Sequence, residues 1–452
     1  MRALPSDPVM LNAAKHWVLS HRTWSVRLLL LALPWQARWF AEAPTLNGYA
    51  WEFGRVSVYL SWLLVLVAAA FSFGFGRETE GWGKAWKRSL PFLLLALLLP
   101  IVFTMSPHAT FSWWLTTLFA VLVFLAIRFS NLTPSKIVFW FTLGLVPHLA
   151  LGFWQVLAQS SPAFSWLGLA SHDPATLGTS VIEWSGGRFL RAYGGFPHPN
   201  IFGGWLAVSL VMVSRITHHA SRGTRKWFLV YGAFAGAMLV LTFSRSAWIA
   251  TALGCAVAFI LSRKRGSEHG KRWSFFVATL VGVIVASVLV WPVLTTRFVA
   301  EARLETKSLD VRAEAMRNGM ELVRRHPLVG VGFGATTVAL MEEGLWPADP
   351  TAGPPEPPHN VPLMVLVEMG FLPMVFLLLV LWFGRRRQFL RKVFWSACPI
   401  LAAALPPLFL DHYLWTLWPG KALLAVALAL VFLPAPTLDE TPKVARMDPA
   451  RF

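Results

Sequence analysis

Charged side chains are scarce in this chain. Asp, Glu, Lys and Arg make up 14% of its 452 residues, whereas about 25% is usual for soluble domains. The mean hydropathy of +0.56 points the same way. This composition excludes a soluble globular enzyme and a disordered chain. It indicates a protein that crosses a membrane several times.

Cysteine is almost absent. Cys255 and Cys398 both lie inside apolar runs, so we expect neither a disulfide framework nor a cysteine metal site. The first residues, 1–23, are mixed and polar, and they lack the apolar core and cleavage site of a signal peptide. The first apolar segment is therefore expected to act as its own insertion signal.

Apolar runs close to the length of a bilayer-spanning helix recur along the whole chain. They predict an all-α polytopic membrane protein with about twelve transmembrane helices. The predicted spans lie near 24–41, 56–75, 89–105, 111–129, 136–157, 198–214, 227–243, 245–262, 273–291, 361–383, 393–410 and 414–433.

The basic residues orient this bundle. The formal net charge is +18, and Lys and Arg collect in alternate loops and at both ends of the chain. By the positive-inside rule these loops and both termini are cytoplasmic. The excess charge is then a contact for anionic membrane lipids, and no nucleic-acid partner is expected.

This topology divides the chain into four parts. Residues 1–291 carry transmembrane helices 1–9 with short loops, 292–360 form a large outer (periplasmic) loop, 361–433 carry helices 10–12, and 434–452 form a cytoplasmic tail. Two sizeable loops are expected on the outer face, at 158–197 and 292–360.

The larger outer loop is expected to contain amphipathic helices. Ser308 is a candidate cap for a helix that ends at Arg325. At 100° per residue its apolar side holds Leu309, Ala313, Met316, Met320 and Val323. Arg312 also projects from that side, so a helix that lies on the membrane domain would aim this arginine inward.

Polar side chains gather at the outer ends of the predicted spans, where they cost free energy unless they are used or paired. Arginine binds anions through two-point contacts, and histidine transfers protons near neutral pH. This group indicates an anion site with an acid–base residue beside it. Its members are Arg191, His198, Asn200, Arg245, Arg312, His359, Asn360, Glu368, Asp411 and His412.

Each of these residues also has a purely structural interpretation. The arginines could reach out to lipid headgroups. His198, between two prolines, is typical of a residue that begins a helix. Glu368 follows His359 by nine residues and would point to the opposite side of a regular helix. It is therefore expected to be bonded within the bundle.

Several motifs resemble the O-antigen ligase and O-antigen polymerase superfamily. They are the stretch from Arg191 to Pro197-His198-Pro199-Asn200, the Ser244-Arg245 turn, and His359-Asn360 followed by Glu368-Met369-Gly370. The family pattern is His, then Asn, Ser or Gln, nine residues, Gly, two residues, and Gly, Thr or Tyr. This chain matches at His359, Asn360 and Gly370, and it departs from the pattern at Pro373.

The resemblance implies a GT-C-like fold and a metal-independent, inverting glycosyltransferase without a cofactor. Such an enzyme moves a glycan from undecaprenyl diphosphate to a lipid A-core hydroxyl on the outer, periplasmic face of the bacterial inner membrane. His359 would be the base and Arg191, Arg245 and Arg312 would surround the diphosphate. Asn360, His198 and Asn200 would contact substrate, with Glu368, Asp411 and His412 in support.

Other functions stay open at this point. A polymerase of O-antigen or exopolysaccharide, or a protein O-oligosaccharyltransferase, would differ from the ligase in its acceptor. A transporter of lipid-linked glycans would also need arginines around a diphosphate. Transporters usually show repeated halves and broken helices near the midplane, and the sequence shows no convincing repeat.

Overall fold

A computed structural model describes residues 8–40, 44–73, 83–217, 220–262, 269–297, 303–347, 349, 353–384 and 387–433. The predicted cytoplasmic tail, 434–452, and the basic segments 74–82 and 263–268 lie outside the described residues.

Helices dominate the described part of the chain, as the apolar runs predict. Their bounds are α1 Pro8–Ala32, α2 Ser61–Phe73, α3 Gly83–Val102, α4 Pro107–Arg128, α5 Pro134–Ala158, α6 Pro199–Ile216, α7 Arg222–Leu241, α8 Arg245–Ser262, α9 His269–Leu289, α10 Trp291–Thr296, α11 Arg303–Arg325, α12 Thr336–Glu342, α13 Val361–Met369, α14 Phe371–Gly384, α15 Arg387–Leu410, α16 Tyr413–Thr416 and α17 Trp418–Phe432.

The strands among the described residues form three short antiparallel sheets of two strands each. The strand pairs are β1 Arg38–Phe40 with β4 Ser57–Tyr59, β2 Thr45–Leu46 with β3 Tyr49–Ala50, and β5 Val181–Trp184 with β6 Gly187–Leu190. We name the segments that carry them loop A (33–60) and loop B (159–198). Residues 290–360, which include α10, α11 and α12, are loop C.

Four described helices are long and apolar enough to cross a membrane, namely α4, α5, α6 and Arg272–Leu289 within α9. The bent pair α13 and α14 makes a fifth if it is counted as one span. Every predicted span contains helix, so the all-α membrane class is confirmed. The count of twelve spans stays a prediction, because the other apolar helical stretches among the described residues, such as Ser89–Val102 and Ala397–Leu410, have only 10–17 residues.

The structure of loop A differs from the first two predicted spans. Residues 38–40 and 57–59 are paired strands, with Arg38 opposite Tyr59 and Phe40 opposite Ser57. The predicted helices 24–41 and 56–75 are therefore wrong at the ends that face this loop. The alternation of β4, in which Val58 is exposed and its neighbours are buried, is the strand signal that an average hydropathy hides.

Loop A is a third sizeable loop on the same face as loop C. The Asn47 side chain donates to the backbone oxygens of Asp349 and Gly353, each at 2.9 Å. The Trp51 indole donates to the Thr337 hydroxyl at 2.9 Å. The prediction of only two sizeable outer loops is wrong, and the extra loop forms part of the site described below.

The predicted span 361–383 is broken. α13 and α14 meet at 109°, with Gly370 at φ +70° between them. A side chain there would overlap the backbone of Leu328 and Gly330, so this junction requires glycine. The prediction of one straight helix is wrong because loop C supplies new backbone partners, for example from the Phe371 N–H to the Pro327 oxygen at 2.8 Å.

Helix α11 begins at Arg303, five residues before the predicted cap at Ser308, and ends at Arg325 as predicted. Its packed face holds Ala315 and Leu322, which are buried, together with Gly319. The predicted apolar stripe is wrong, since Leu309, Met316 and Met320 are exposed and Ala313 is too, while Val323 is only partly buried. Gly319 decides the orientation, because it lets Pro358 and Leu363 approach closely.

Helix α6 lies at the centre of the bundle. Its apolar side chains are buried along almost its whole length, including Phe202, Trp205 and Leu210 at 0% exposure. Gly204 faces the Tyr413 hydroxyl so closely that any β-carbon would overlap it. The start of α6 is therefore held against the segment between α15 and α17, and this brings distant polar residues together.

Candidate active site

A chain of hydrogen bonds joins Arg191, Asn200 and Asp411 where loop B enters α6. The buried Arg191 guanidinium donates from Nε to the Thr242 oxygen at 2.8 Å and from Nη2 to Asn200 Oδ1 at 2.7 Å. Asn200 Nδ2 donates to Asp411 Oδ2 at 3.0 Å. The amide thus links a cation to a carboxylate, and both charges are held at the end of the bundle.

His359 lies between two carboxylates. Its Nδ1 is 4.0 Å from Asp411 Oδ1, and its Nε2 is 3.7 Å from Glu356 Oε2. The imidazole also meets the His412 ring edge to face, with centroids 4.9 Å apart. His359 Nδ1 is buried and has no hydrogen-bond partner among the described residues. Both separations exceed a hydrogen bond, as catalytic contacts often do without substrate.

Asn360 is the N-cap of α13. Its Oδ1 accepts from the Leu363 N–H at 2.9 Å, and its Nδ2 donates to the Phe409 oxygen at 3.3 Å. Pro362 stands in the first turn, where a missing N–H does no harm. Pro373 is placed in the same way in the first turn of α14, so the departure from the family pattern leaves the helix intact.

His198 is the N-cap of α6. Its Nδ1 accepts from the Asn200 N–H at 3.1 Å, and its Nε2 is 2.8 Å from the Ser180 hydroxyl. Both ring nitrogens are therefore engaged in holding loop B to the helix. This geometry gives His198 a structural task, in contrast to His359.

Arg245, Arg297 and Arg312 complete a group of arginines around Arg191. Arg245 begins α8 and Arg297 follows α10, where its Nη2 donates to the Phe243 oxygen at 2.9 Å. Burial and the charges of the other three arginines lower the pKa of Arg297 to about 8. Burial is also the main reason that the pKa of Arg191 falls to about 10. Guanidinium groups stay protonated in proteins, so these shifts mean concentrated positive charge.

The acidic and imidazole groups beside these arginines differ in their preferred charge. Burial lowers the pKa of His412 to about 4, which keeps this ring neutral. Burial alone would raise the pKa of Asp411, but the three neighbouring imidazoles and the Asn200 amide hold it below its usual value. Asp411 is therefore an anion. It lies between His359 on one side and the hydrogen-bonded Asn200 and Arg191 on the other.

Glu368 is fully buried and bonded within the bundle. It accepts from the Thr336 hydroxyl at 2.9 Å and from the Trp415 indole at 2.6 Å. These bonds fasten α13 to loop C and to the helix that follows His412. The buried Lys421 ammonium lies nearby and donates to the Trp113 oxygen and the Thr116 and Thr117 hydroxyls, all within 2.9 Å.

His359, Asp411 and His412 could hold a metal ion by their spacing alone. One ligand atom from each lies within 4.8 Å of the others, and two imidazoles with a carboxylate are a donor set that suits Zn²⁺. However, Asp411 already accepts from the His412 N–H at 2.8 Å, and His412 Nδ1 is 2.8 Å from the Thr416 hydroxyl.

A cleft of about 580 Å³, partly open to solvent, lies on the other side of His412. Loop A supplies three of its charged residues, Arg38, Glu52 and Arg55, and α13 supplies the fourth, Glu368. Arg38 Nη1 is 2.6 Å from Glu52 Oε1, and Arg55 Nη1 is 3.3 Å from Glu52 Oε2.

Sequence reasoning missed several of these residues. Arg297 stands alone after a short helix with no motif around it. Glu356 lies in the proline-rich approach to His359, and its spacing of three residues is the signal that could have found it. The sequence predicts helices at both ends of loop A, so the charged residues of this loop are not expected near the site.

The sequence was compared with known proteins. Residues 230–378 match the family model described as O-antigen ligase. This match, which covers about a third of the chain, supports membership of the O-antigen ligase and polymerase superfamily. The match includes Arg245, Arg297, Arg312 and the His359-Asn360 pair, whereas Arg191 and Asp411 lie outside it. No curated protein and no solved structure matches the chain. The O-antigen ligase match suggests a glycosyltransferase-type enzyme, and together with the apolar helices it suggests a bacterial membrane protein.

Proposed function

We propose that this chain is an O-antigen ligase that moves a glycan from undecaprenyl diphosphate to a hydroxyl of the lipid A-core. The observation that carries the proposal is the position of four clustered arginines beside a histidine that stands between two carboxylates. An anion-binding group and a base in one place are what glycan transfer from a diphosphate requires.

The arginines bind the leaving group. As the bond between the anomeric carbon and the phosphate oxygen breaks, its electron pair passes to the diphosphate. Arg191, Arg245, Arg297 and Arg312 stabilise the growing negative charge through two-point contacts. Burial and the neighbouring arginines lower the pKa of Arg297, and the bound anion offsets the repulsion among the four guanidinium groups.

His359 accepts the proton of the attacking hydroxyl. The acceptor oxygen forms the new bond on the face opposite the leaving diphosphate, so the configuration inverts. Asp411 lies next to His359 Nδ1 and stabilises the imidazolium that forms, which leaves Nε2 to take the proton. The arginines take the place that a metal ion would have at the diphosphate, and His359 removes the proton, so the proposed reaction is metal-independent.

A transfer assay tests the activity. The purified protein in lipid nanodiscs receives undecaprenyl-diphosphate-linked glycan and rough lipopolysaccharide, with EDTA present. We expect glycosylated lipopolysaccharide. Lengthening of the donor glycan would instead identify a polymerase, and glycosylated protein acceptor a protein transferase. Transfer that EDTA abolishes and Zn²⁺ restores would make His359, Asp411 and His412 metal ligands.

The leaving-group site has its own prediction. Arg245→Lys keeps the charge but loses the planar two-point contact. A charge-assisted hydrogen bond contributes about 1.5–3 kcal/mol, so kcat/KM for the donor should fall roughly ten- to hundredfold. The melting temperature serves as the control for folding. Wild-type donor kinetics in this variant would reduce Arg245 to a headgroup contact.

The proposed orientation places loop C, and with it the site, on the periplasmic face, with both termini in the cytoplasm. A cysteine introduced at Gly353 in a background without Cys255 and Cys398 should react with a membrane-impermeant maleimide on the periplasmic side. Gly353 lies in loop C and touches Asn47 of loop A. Reaction only after the cytoplasmic side is opened would reverse the topology.

A further inference from the structure

The cleft beneath loop A has no role in the transfer mechanism above. It opens between loop A and the ends of α4, α13 and α17. Its charged groups are already partly balanced, since Glu52 pairs with both Arg38 and Arg55. It therefore differs from the arginine group around Arg191, where positive charge is in excess.

The lining of this cleft is polar and aromatic. Hydroxyl groups come from Ser57, Ser112 and Thr416, and flat rings from Trp113 and Trp418. Aliphatic side chains are few among its lining residues. Such a surface suits a hydroxyl-rich compound, because carboxylates, guanidinium groups and indole N–H groups bond to hydroxyl oxygens. It does not suit a polyprenyl tail.

Three lining residues carry buried N–H donors without a partner among the described residues. They are Arg55 Nε, Trp113 Nε1 and Trp418 Nε1. Buried donors are nearly always bonded, and each exception calls for an explanation. All three are donors, so a ligand that satisfies them must present oxygen acceptors.

The cleft reaches the reaction centre. The Phe53 ring lies 5.7 Å from the His412 ring, and the Thr416 hydroxyl is 2.8 Å from His412 Nδ1. Both Phe53 and Thr416 line the cleft. His412 in turn touches His359. A ring held in the cleft is thus separated from His359 by the His412 side chain.

We propose that this cleft is the acceptor-sugar subsite. Glu52 and Arg55 bind vicinal hydroxyls of the acceptor, the indole groups bond its oxygens, and one hydroxyl is presented to His359. The proposal rests on the proposed transfer function, with the donor diphosphate on the arginine side.

Direct binding tests the cleft without turnover. The His359→Gln protein in nanodiscs is titrated with rough lipopolysaccharide and, separately, with the undecaprenyl-diphosphate-linked glycan. Adding Arg55→Met or Glu52→Gln should weaken binding of rough lipopolysaccharide roughly tenfold. The Kd of the carrier-linked donor should not change.

A pair of matched substitutions separates the cleft from general packing. Trp418→Phe removes the unpartnered N–H of a residue that lines the cleft and should weaken acceptor binding roughly two- to tenfold. Trp114 also carries a buried N–H without a partner, but it does not line the cleft. Trp114→Phe should leave the Kd of rough lipopolysaccharide unchanged.

The outcomes distinguish this inference from the proposed function. Weaker donor binding in Arg55→Met, with acceptor binding intact, would assign the cleft to the donor and overturn the inference. Unchanged affinity for both ligands, or no binding of rough lipopolysaccharide to the parent protein, would also overturn it. If acceptor binding depends on Arg55 but the wild-type protein transfers no glycan, the subsite stands and the transferase proposal fails.

Discussion

Two helices start at the reaction centre, and each starts with a histidine and an asparagine after a proline. At α6 the imidazole of His198 is the cap, and Asn200 is free to join Arg191 to Asp411. At α13 the roles are exchanged, since Asn360 is the cap and neither ring nitrogen of His359 is used in capping. Because one side chain of each pair caps the helix, the other side chain is available to the reaction centre.

The largest effect is expected at His359. In His359→Gln the amide can bond the acceptor hydroxyl but cannot accept its proton. Turnover should fall about 100-fold or more, while donor affinity and melting temperature stay near wild type. The measurement is single-turnover transfer with saturating donor. Wild-type turnover would show that this histidine only positions the substrate. The proposed difference in role between His359 and His198 would then be wrong.

A smaller loss is expected at Asn200. Asn200→Ala leaves the Arg191 guanidinium and the Asp411 carboxylate without their shared partner. An unsatisfied buried group costs about 1–3 kcal/mol, so kcat should drop roughly tenfold. Asn360→Ser is the matched control, because serine also caps helices and should change kcat little. Equal losses in the two variants would mean that the Asn360 amide has a role in the reaction beyond capping.

The smallest effect is expected at His198. His198→Asn retains a capping side chain but loses the contact with Ser180. One hydrogen bond contributes about 0.5–1.5 kcal/mol, so the melting temperature should fall by a few degrees and turnover per folded molecule should change less than about threefold. A hundredfold loss of turnover at unchanged stability would move the base from His359 to His198.

Hydropathy located every helical segment of the bundle, because long apolar runs have few other stable forms in a membrane. It failed at loop A, where the alternating residues of β4 average to the same hydropathy as a helix. It failed again at Gly370, since the break depends on backbone partners in loop C that are distant in sequence.

The site was predictable to a similar degree. His359 and Arg245 stand in recognisable motifs, and the positions of Arg191, Asn200, Asp411 and His412 near one another followed from topology. The exchange of capping roles between His198 and Asn360 depends on rotamers and could not be inferred. Arg297 was missed because one arginine after an ordinary helix carries no pattern.

The junction at Gly370 has a consequence for how the chain is assembled. Four backbone hydrogen bonds cross it, from Val331 and Gly332 to α13 carbonyls and from Phe371 and Leu372 to carbonyls of loop C. Loop C thereby supplies the backbone hydrogen-bond partners that the broken span lacks. Lipid cannot supply such partners. Loop C is therefore part of the support that holds the two halves of this span together. In a hydrogen-exchange experiment, the amide protons of these four residues should therefore exchange at similar rates, because their hydrogen bonds open together.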